Sequence, residues 1–202
     1  FAAWFASRGW SLRPHQAGLI ETAQRGQGGL VIAPTGGGKT LAGFLPSLIE
    51  LADAPPRVHP ALHTIYISPL KALATDVARN LMSPVEEMQL GLTVETRTGD
   101  TSTSRRQRQR AKPPDILLTT PEQLALLVAS EHAGRFFADL RAVIVDEVHA
   151  IAQSKRGDLL ALGLATLRKW APAARHIGLS ATVRDPDALA RWLGPDTPII
   201  RH

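Results

Sequence analysis

Two short stretches carry residue types at spacings that suit phosphate chemistry. The first is Ala33-Pro-Thr-Gly-Gly-Gly-Lys-Thr40. It follows the phosphate-loop pattern G-x-x-x-x-G-K-[ST], except that Ala33 stands where the pattern has its first glycine. The physics survives that change. Gly36, Gly37 and Gly38 permit backbone angles that turn successive N–H groups toward one anion. A helix starting there would add its N-terminal dipole. Lys39 then reaches the β- and γ-phosphates of a nucleoside triphosphate such as ATP, and the Thr40 hydroxyl can ligate Mg²⁺. The second stretch is Arg141-Ala-Val-Ile-Val-Asp146-Glu147-Val-His149, with two carboxylates just past an apolar run. A water-mediated contact from Asp146 would complete the metal site begun at Thr40, and Glu147 can orient or deprotonate an attacking water. Alone, such a pair is usually a solvated helix cap; beside a phosphate loop it becomes a catalytic constellation. For His149 a structural role competes with a functional one.

Both stretches need a scaffold that brings them together. Short β-type runs at 29–33, 64–68, 116–119, 142–146 and 176–180, with a weaker one at 92–97, alternate with helical patterns at about 15–25, 39–52, 71–89, 121–130, 157–170 and 185–193. Four of the five clear strands are continuously apolar, as expected of strands buried on both faces of a parallel sheet. This rhythm predicts an α/β fold, a mostly parallel sheet with helices on both faces. Ligands of such sheets bind beyond the carboxyl ends of the strands, where both stretches fall. The Pro-rich segments 53–60 and 112–115 are loops within one domain over 1–202, because the strand series continues across both.

The combination Asp146-Glu-x-His149 after a phosphate loop, with Ser180-Ala-Thr182 ending the next strand, resembles the first motor domain of a superfamily 2 helicase of the DEXH-box type. Ala33-x-Thr35-Gly-x-Gly-Lys-Thr40 is that superfamily's own form of the loop, which accounts for the missing glycine and adds Thr35 to the nucleotide-binding set. The resemblance extends along nearly the whole chain. Gln16 in Leu12-Arg-Pro-His-Gln16 is similar to the upstream glutamine that recognises adenine. Ser68-Pro69-Leu-Lys71 resembles motif Ia, Thr98-Gly99-Asp100 the small element after it, and Thr119-Thr120-Pro121-Glu122 motif Ib. The wording of Pro69–Leu73, Asp146–His149 and Lys155-Arg-Gly157 is similar to Lhr-type (large helicase-related) helicases, with the bacterial ligase-associated branch as the nearest likeness.

The resemblance implies a RecA-like P-loop NTPase lobe that binds ATP and Mg²⁺ and works against a second RecA-like lobe. It implies 3′-to-5′ movement on single-stranded DNA in DNA repair, with a DNA ligase or nuclease as a possible partner; RNA as the track, or a binding module that does not unwind, are the rival readings. Pro69, Lys71, Thr98, Gly99, Thr120 and Pro121 would follow the phosphate backbone, giving grip without sequence information. For Thr98 and Thr120 a turn or helix cap is the plain alternative. Ser180 and Thr182 would hydrogen-bond toward the acidic pair and, with His149, couple nucleotide state to lobe closure.

Composition sets the outer bounds. The 202 residues are 44% hydrophobic and contain no cysteine, which allows a sizeable core and excludes a disulfide scaffold or thiol nucleophile. No apolar run approaches the roughly 18 residues of a membrane span, so a cytoplasmic protein is expected. The net charge is +5, and only five of the 23 cationic residues are Lys. That Arg excess suits phosphate, though a chain-wide preference for Arg explains it equally well. Arg105-Arg-Gln-Arg-Gln-Arg110 reads as a solvated basic helix face or a nucleic-acid contact. No aromatic interleaves it, so base stacking is not expected there. Trp4, Phe5 and Trp10 suit core packing, with one near the adenine as the alternative. The start at Phe1 and the end after 198–202 suggest a fragment of something larger.

Overall fold

The computed structural model describes residues 1–55, 58–181 and 183–202. The chain begins with α1 (Ala2–Ser7), α2 (Pro14–Gln24), β1 (Gly29–Ile32), α3 (Lys39–Asp53), β2 (Thr64–Ile67) and α4 (Lys71–Glu87). It continues through β3 (Val94–Arg97), α5 (Thr103–Ala111), β4 (Ile116–Thr119), α6 (Pro121–Val128), α7 (Ala133–Phe136) and β5 (Ala142–Val145). It closes with α8 (Val148–Ile151), α9 (Lys155–Trp170), β6 (Arg175–Ser180), α10 (Pro186–Leu193) and β7 (Ile199–Arg201).

The seven strands form one sheet in the order β3-β4-β2-β5-β6-β1-β7, and every pairing is parallel. The apolar runs explain why both faces are covered. Side chains alternate along a strand, so Leu30, Ile32, Ile65, Ile67, Val143 and Val145 face a layer formed by α6, α8, α9 and α10. Val31, Tyr66, Ile144, Ile177 and Leu179 face Phe44 and Leu48 of α3 and Val77 and Leu81 of α4. Full burial of each such side chain contributes about 1.5–3 kcal/mol. The chain runs outward from β1 to β2 to β3, then returns through β4, β5 and β6. Right-handed crossovers therefore place α3–α4 and α6–α9 on opposite faces.

The α/β reading holds, and the structure adds details to it, among them the short helices α1, α7 and α8. The sheet is wholly parallel, and β7 joins its edge through Leu30 paired with Ile199, an element too short to signal itself. Helix α4 ends at Glu87, two residues early, where Gln89 takes a left-handed conformation (φ 52°). At the amino edge of the sheet, Arg175 of β6 grips Glu50 of α3 with two guanidinium nitrogens and also donates to the Ala23 carbonyl at 3.2 Å. His63 Nε2 lies 3.3 Å from the same carboxylate. Burial opposes ionisation of Glu50, but the His63 and Arg175 contacts outweigh it and hold the carboxyl at about 2. This clamp fixes the far end of the helix that carries Lys39 and Thr40.

Candidate functional site

Because all strands run the same way, the residues following them share one edge. After β1 the Ala33 N–H still donates to the Ser180 carbonyl of β6 at 3.2 Å, so the ladder holds the start of the phosphate loop. Gly36 (φ 76°) and Gly38 (φ 75°) adopt left-handed conformations that a side chain would strain, and Gly38 is the N-cap of α3. Lys39 is buried at the start of that helix. Its Nζ donates to the carbonyls of Ala33 (3.0 Å) and Pro34 (3.1 Å), which holds the ammonium inside the loop. Thr35 and Gly36 are exposed; Gly38 and Thr40 are half-buried.

Gln16 is buried on α2. Its Oε1 accepts from the Arg13 N–H at 3.0 Å, and its Nε2 lies 3.4 Å from the Gly38 carbonyl. The side chain thus closes the N-terminus of α2 and ties it to the loop. Its neighbour His15, passed over in the sequence, is fully buried and stacks on His202 with ring centroids 4.9 Å apart. Burial, followed by His202, lowers its pKa.

Two strands away, the Asp146 N–H continues the ladder to the Ile67 carbonyl at 2.9 Å. The Asp146 side chain is buried. Its Oδ1 accepts from the Glu147 N–H at 2.9 Å, and its Oδ2 accepts from the Tyr66 hydroxyl. Burial, and then the Asp146 charge, push the Tyr66 pKa up, so the phenol is a fixed donor. Glu147 takes a left-handed conformation (φ 49°, ψ 43°). Its carboxylate lies 3.2 Å from His149 Nε2, while His149 Nδ1 lies 3.1 Å from Ser180 Oγ. Ser180 therefore reaches the acidic pair through an imidazole, where a direct contact was expected. Thr182 lies outside the described residues.

The donor set suits Mg²⁺. No cluster of three or more His, Asp or Glu able to hold a metal occurs among the described residues. Thr40 and Asp146 remain the candidate protein ligands from the sequence, and an ion that keeps several waters and binds substrate phosphates needs few.

The other half of the edge belongs to β3, β4 and β2, which lie side by side. At about 4.8 Å per strand, the end of β3 is roughly 24 Å from the phosphate loop. Lys71 is exposed at the start of α4 and pairs with Asp100; Pro69 is half-buried beside it. Thr98 is buried, its N–H donating to Thr101 Oγ1 at 2.9 Å. Its carbonyl and that of exposed Gly99 accept from Arg106 Nη2 at 3.1 and 2.9 Å. Thr120 and Pro121 are buried at the start of α6. A turn thus engages the backbone of Thr98, and Thr120 takes the N-cap position of α6 without a side-chain capping bond, while Lys71 and Gly99 are exposed.

The basic helix is α5, capped by Ser102, whose Oγ accepts from the Arg105 N–H at 3.3 Å. Arg105 and Arg108 pair with Glu95 at 3.3 and 2.9 Å, which spends part of the run on bracing β3. Arg97 on β3 is buried; burial, then Arg106 and Arg110, bring its pKa down to about 10. Near the start of the chain, Phe5 is buried and Trp10 is half exposed. Trp4 donates to Glu87 at 2.8 Å, which ties α1 to α4.

Known proteins resemble this chain over most of its length. The family model of DEAD/DEAH box helicases matches residues 13–189. The chain is 43% identical over 96% of its length to the Lhr helicase/probable uracil glycosylase of Mycolicibacterium smegmatis, covering 14% of that protein. It is 39% identical over 95% of its length to the ATP-dependent helicase Lhr-Core of Sulfolobus acidocaldarius, covering 23% of it. The structure of Mycobacterium smegmatis helicase Lhr bound to ssDNA and AMP-PNP superposes with a TM-score of 0.88 at 42% identity. That match spans 98% of this chain and 26% of the other. The chain thus spans between about a seventh and a quarter of the relatives it matches. A RecA-like sheet, a phosphate loop and an acidic pair on one edge, and a family match across most of its length place this chain in the DEAD/DEAH box helicase family.

Proposed function

We propose that residues 1–202 form the ATP-binding lobe of an Lhr-type DNA helicase that moves 3′ to 5′ on single-stranded DNA. The observation that carries this reading is the chain of contacts along the carboxyl edge, from the phosphate loop through Ser180 and His149 to Glu147. It supports the reading because it links the loop assigned to the phosphates with the carboxylate assigned to the attacking water.

In this reading the loop N–H groups and Lys39 hold the triphosphate, and Gln16 contacts the adenine. Thr40 and Asp146 would hold Mg²⁺, which screens the phosphate charge when bound. Glu147 orients the attacking water and takes its proton. Ser180 and Thr182 transmit the outcome to a second RecA-like lobe, which supplies arginine fingers worth about 10³–10⁵ in rate. Lys71, Gly99 and their neighbours on β2, β3 and β4 hold the strand by its backbone. The isolated lobe accordingly binds ATP weakly and hydrolyses it near background.

The test is steady-state ATPase of the full-length protein titrated with single-stranded DNA and, separately, RNA, alongside an unwinding assay. Stimulation by DNA with unwinding supports the reading. Stimulation by RNA alone moves the track to RNA, and stimulation without unwinding makes the protein a nucleotide-dependent clamp.

A further inference from the structure

The acidic pair has a support that no sequence motif marks. We propose that Tyr66 is a positioning residue for the Asp146 carboxylate and, through it, for the divalent cation accompanying a bound nucleoside triphosphate. This rests on the nucleotide-binding reading above.

Tyr66 lies on β2 in register with Ile144 of β5. Asp146, two residues on and just past the end of β5, keeps the ladder through its N–H and so continues the same face. The Tyr66 side chain is fully buried, and its ring stacks on Phe44 at 5.2 Å with 24° between planes. A role in packing alone would be filled by Phe, because a buried phenol needs a partner for its hydroxyl. Here the partner is Asp146 Oδ2, while Oδ1 accepts from the Glu147 N–H. The two donors fix the rotation of a carboxylate that otherwise swings freely about its last bond.

The stack reaches further. Phe44 is four residues after Thr40 on α3, so the two share a helix face. The line Thr40–Phe44–Tyr66–Asp146 joins the two candidate cation ligands through a single aromatic pair. Both would be held in a common frame without touching each other.

Groups that orient a metal ligand typically carry about 10–100-fold of metal affinity. The Asp146 contact runs through water in this reading, so the low end applies. The experiment measures AMP-PNP binding to the full-length protein by calorimetry, in excess Mg²⁺ and in EDTA. Tyr66→Phe should leave affinity in EDTA unchanged while the Mg²⁺-dependent gain falls about 10-fold. In an Asp146→Asn background, Tyr66→Phe should have no further effect. Equal losses with and without Mg²⁺ would show a packing role only and overturn the proposal, as would an unchanged Mg²⁺ gain. Wild-type protein without a Mg²⁺-dependent gain would instead refute the nucleotide–metal reading itself. Should Tyr66→Phe fail to fold, Phe44→Leu carries the test, since it keeps the hydroxyl but loosens the ring. A smaller loss of the Mg²⁺ gain supports the proposal, and none overturns it.

Discussion

Glu147 combines an assigned chemical role with a costly backbone conformation, and the two separate by mutation. At φ 49° and ψ 43° its Cβ crowds the following carbonyl, which costs a residue with a side chain about 1–2 kcal/mol. Glycine escapes that cost but gives up about 0.5–1 kcal/mol to the entropy of the unfolded chain. Both Glu147→Gly and Glu147→Ala lose the carboxylate and its contact with His149, so their difference isolates the Cβ. The Gly variant should be the more stable by about 0.5–1 kcal/mol. For a chain of this size that corresponds to a melting temperature higher by roughly 1–4 °C. Glu147→Gln keeps the side-chain bulk and should melt within about 0.5 kcal/mol of wild type. In the full-length protein it should bind ATP yet lose about 10²–10⁴ in turnover. Thermal denaturation of the four proteins at pH 7, with ATPase rates in parallel, tests both halves. An Ala variant as stable as the Gly variant would refute the claim that the backbone is strained there. Wild-type turnover in the Gln variant would refute the catalytic assignment.

Three further outcomes are expected. Lys39→Ala should weaken nucleotide binding about 10–100-fold, the loss of charge-assisted hydrogen bonds; titration calorimetry with ATP measures it, and retained affinity would remove Lys39 from the site. Ser180→Ala breaks the link to His149 at 3.1 Å and, alone or with Thr182→Ala, should preserve DNA-stimulated ATPase better than unwinding. A parallel loss would place Ser180 in hydrolysis. His176, whose pKa burial and then Arg168 lower to about 4, should make stability pH-dependent. Its neutral form is favoured in the fold, so its contribution is complete above pH 6.5 and is lost as pH falls toward 4. The full loss is about 3 kcal/mol. Urea midpoints from pH 8 to 4 should show it, and His176→Gln should flatten that part of the curve; an equally steep curve would assign the effect to other groups.

What the sequence determined by itself is whatever short stretches can encode. The phosphate loop is contiguous, and the conformations of Gly36 and Gly38 follow from residue type, so its position between β1 and α3 was legible. The buried parallel strands were legible because 29–32, 116–119 and 142–145 run almost wholly apolar, and 64–67 does so apart from the hydroxyls of Thr64 and Tyr66. From these the α/β class followed, and so did the placing of the chemistry after strand ends. The tertiary structure decided who stands beside whom. Strand order depends on which apolar faces pack best across the whole sheet, and no local pattern specifies that. The Tyr66–Asp146 bond joins residues 80 positions apart, and the Ser180–His149 contact spans 31; each exists because β5 lies between β2 and β6. The left-handed turn at Glu147 was equally hidden, since Glu has no preference for it and only the surrounding ladder and helix impose it. The same holds for Thr98 and Gly99, whose carbonyls are claimed by an arginine seven or eight residues away. A side chain's type states what bonds it can make, while packing at long range selects the bond it makes.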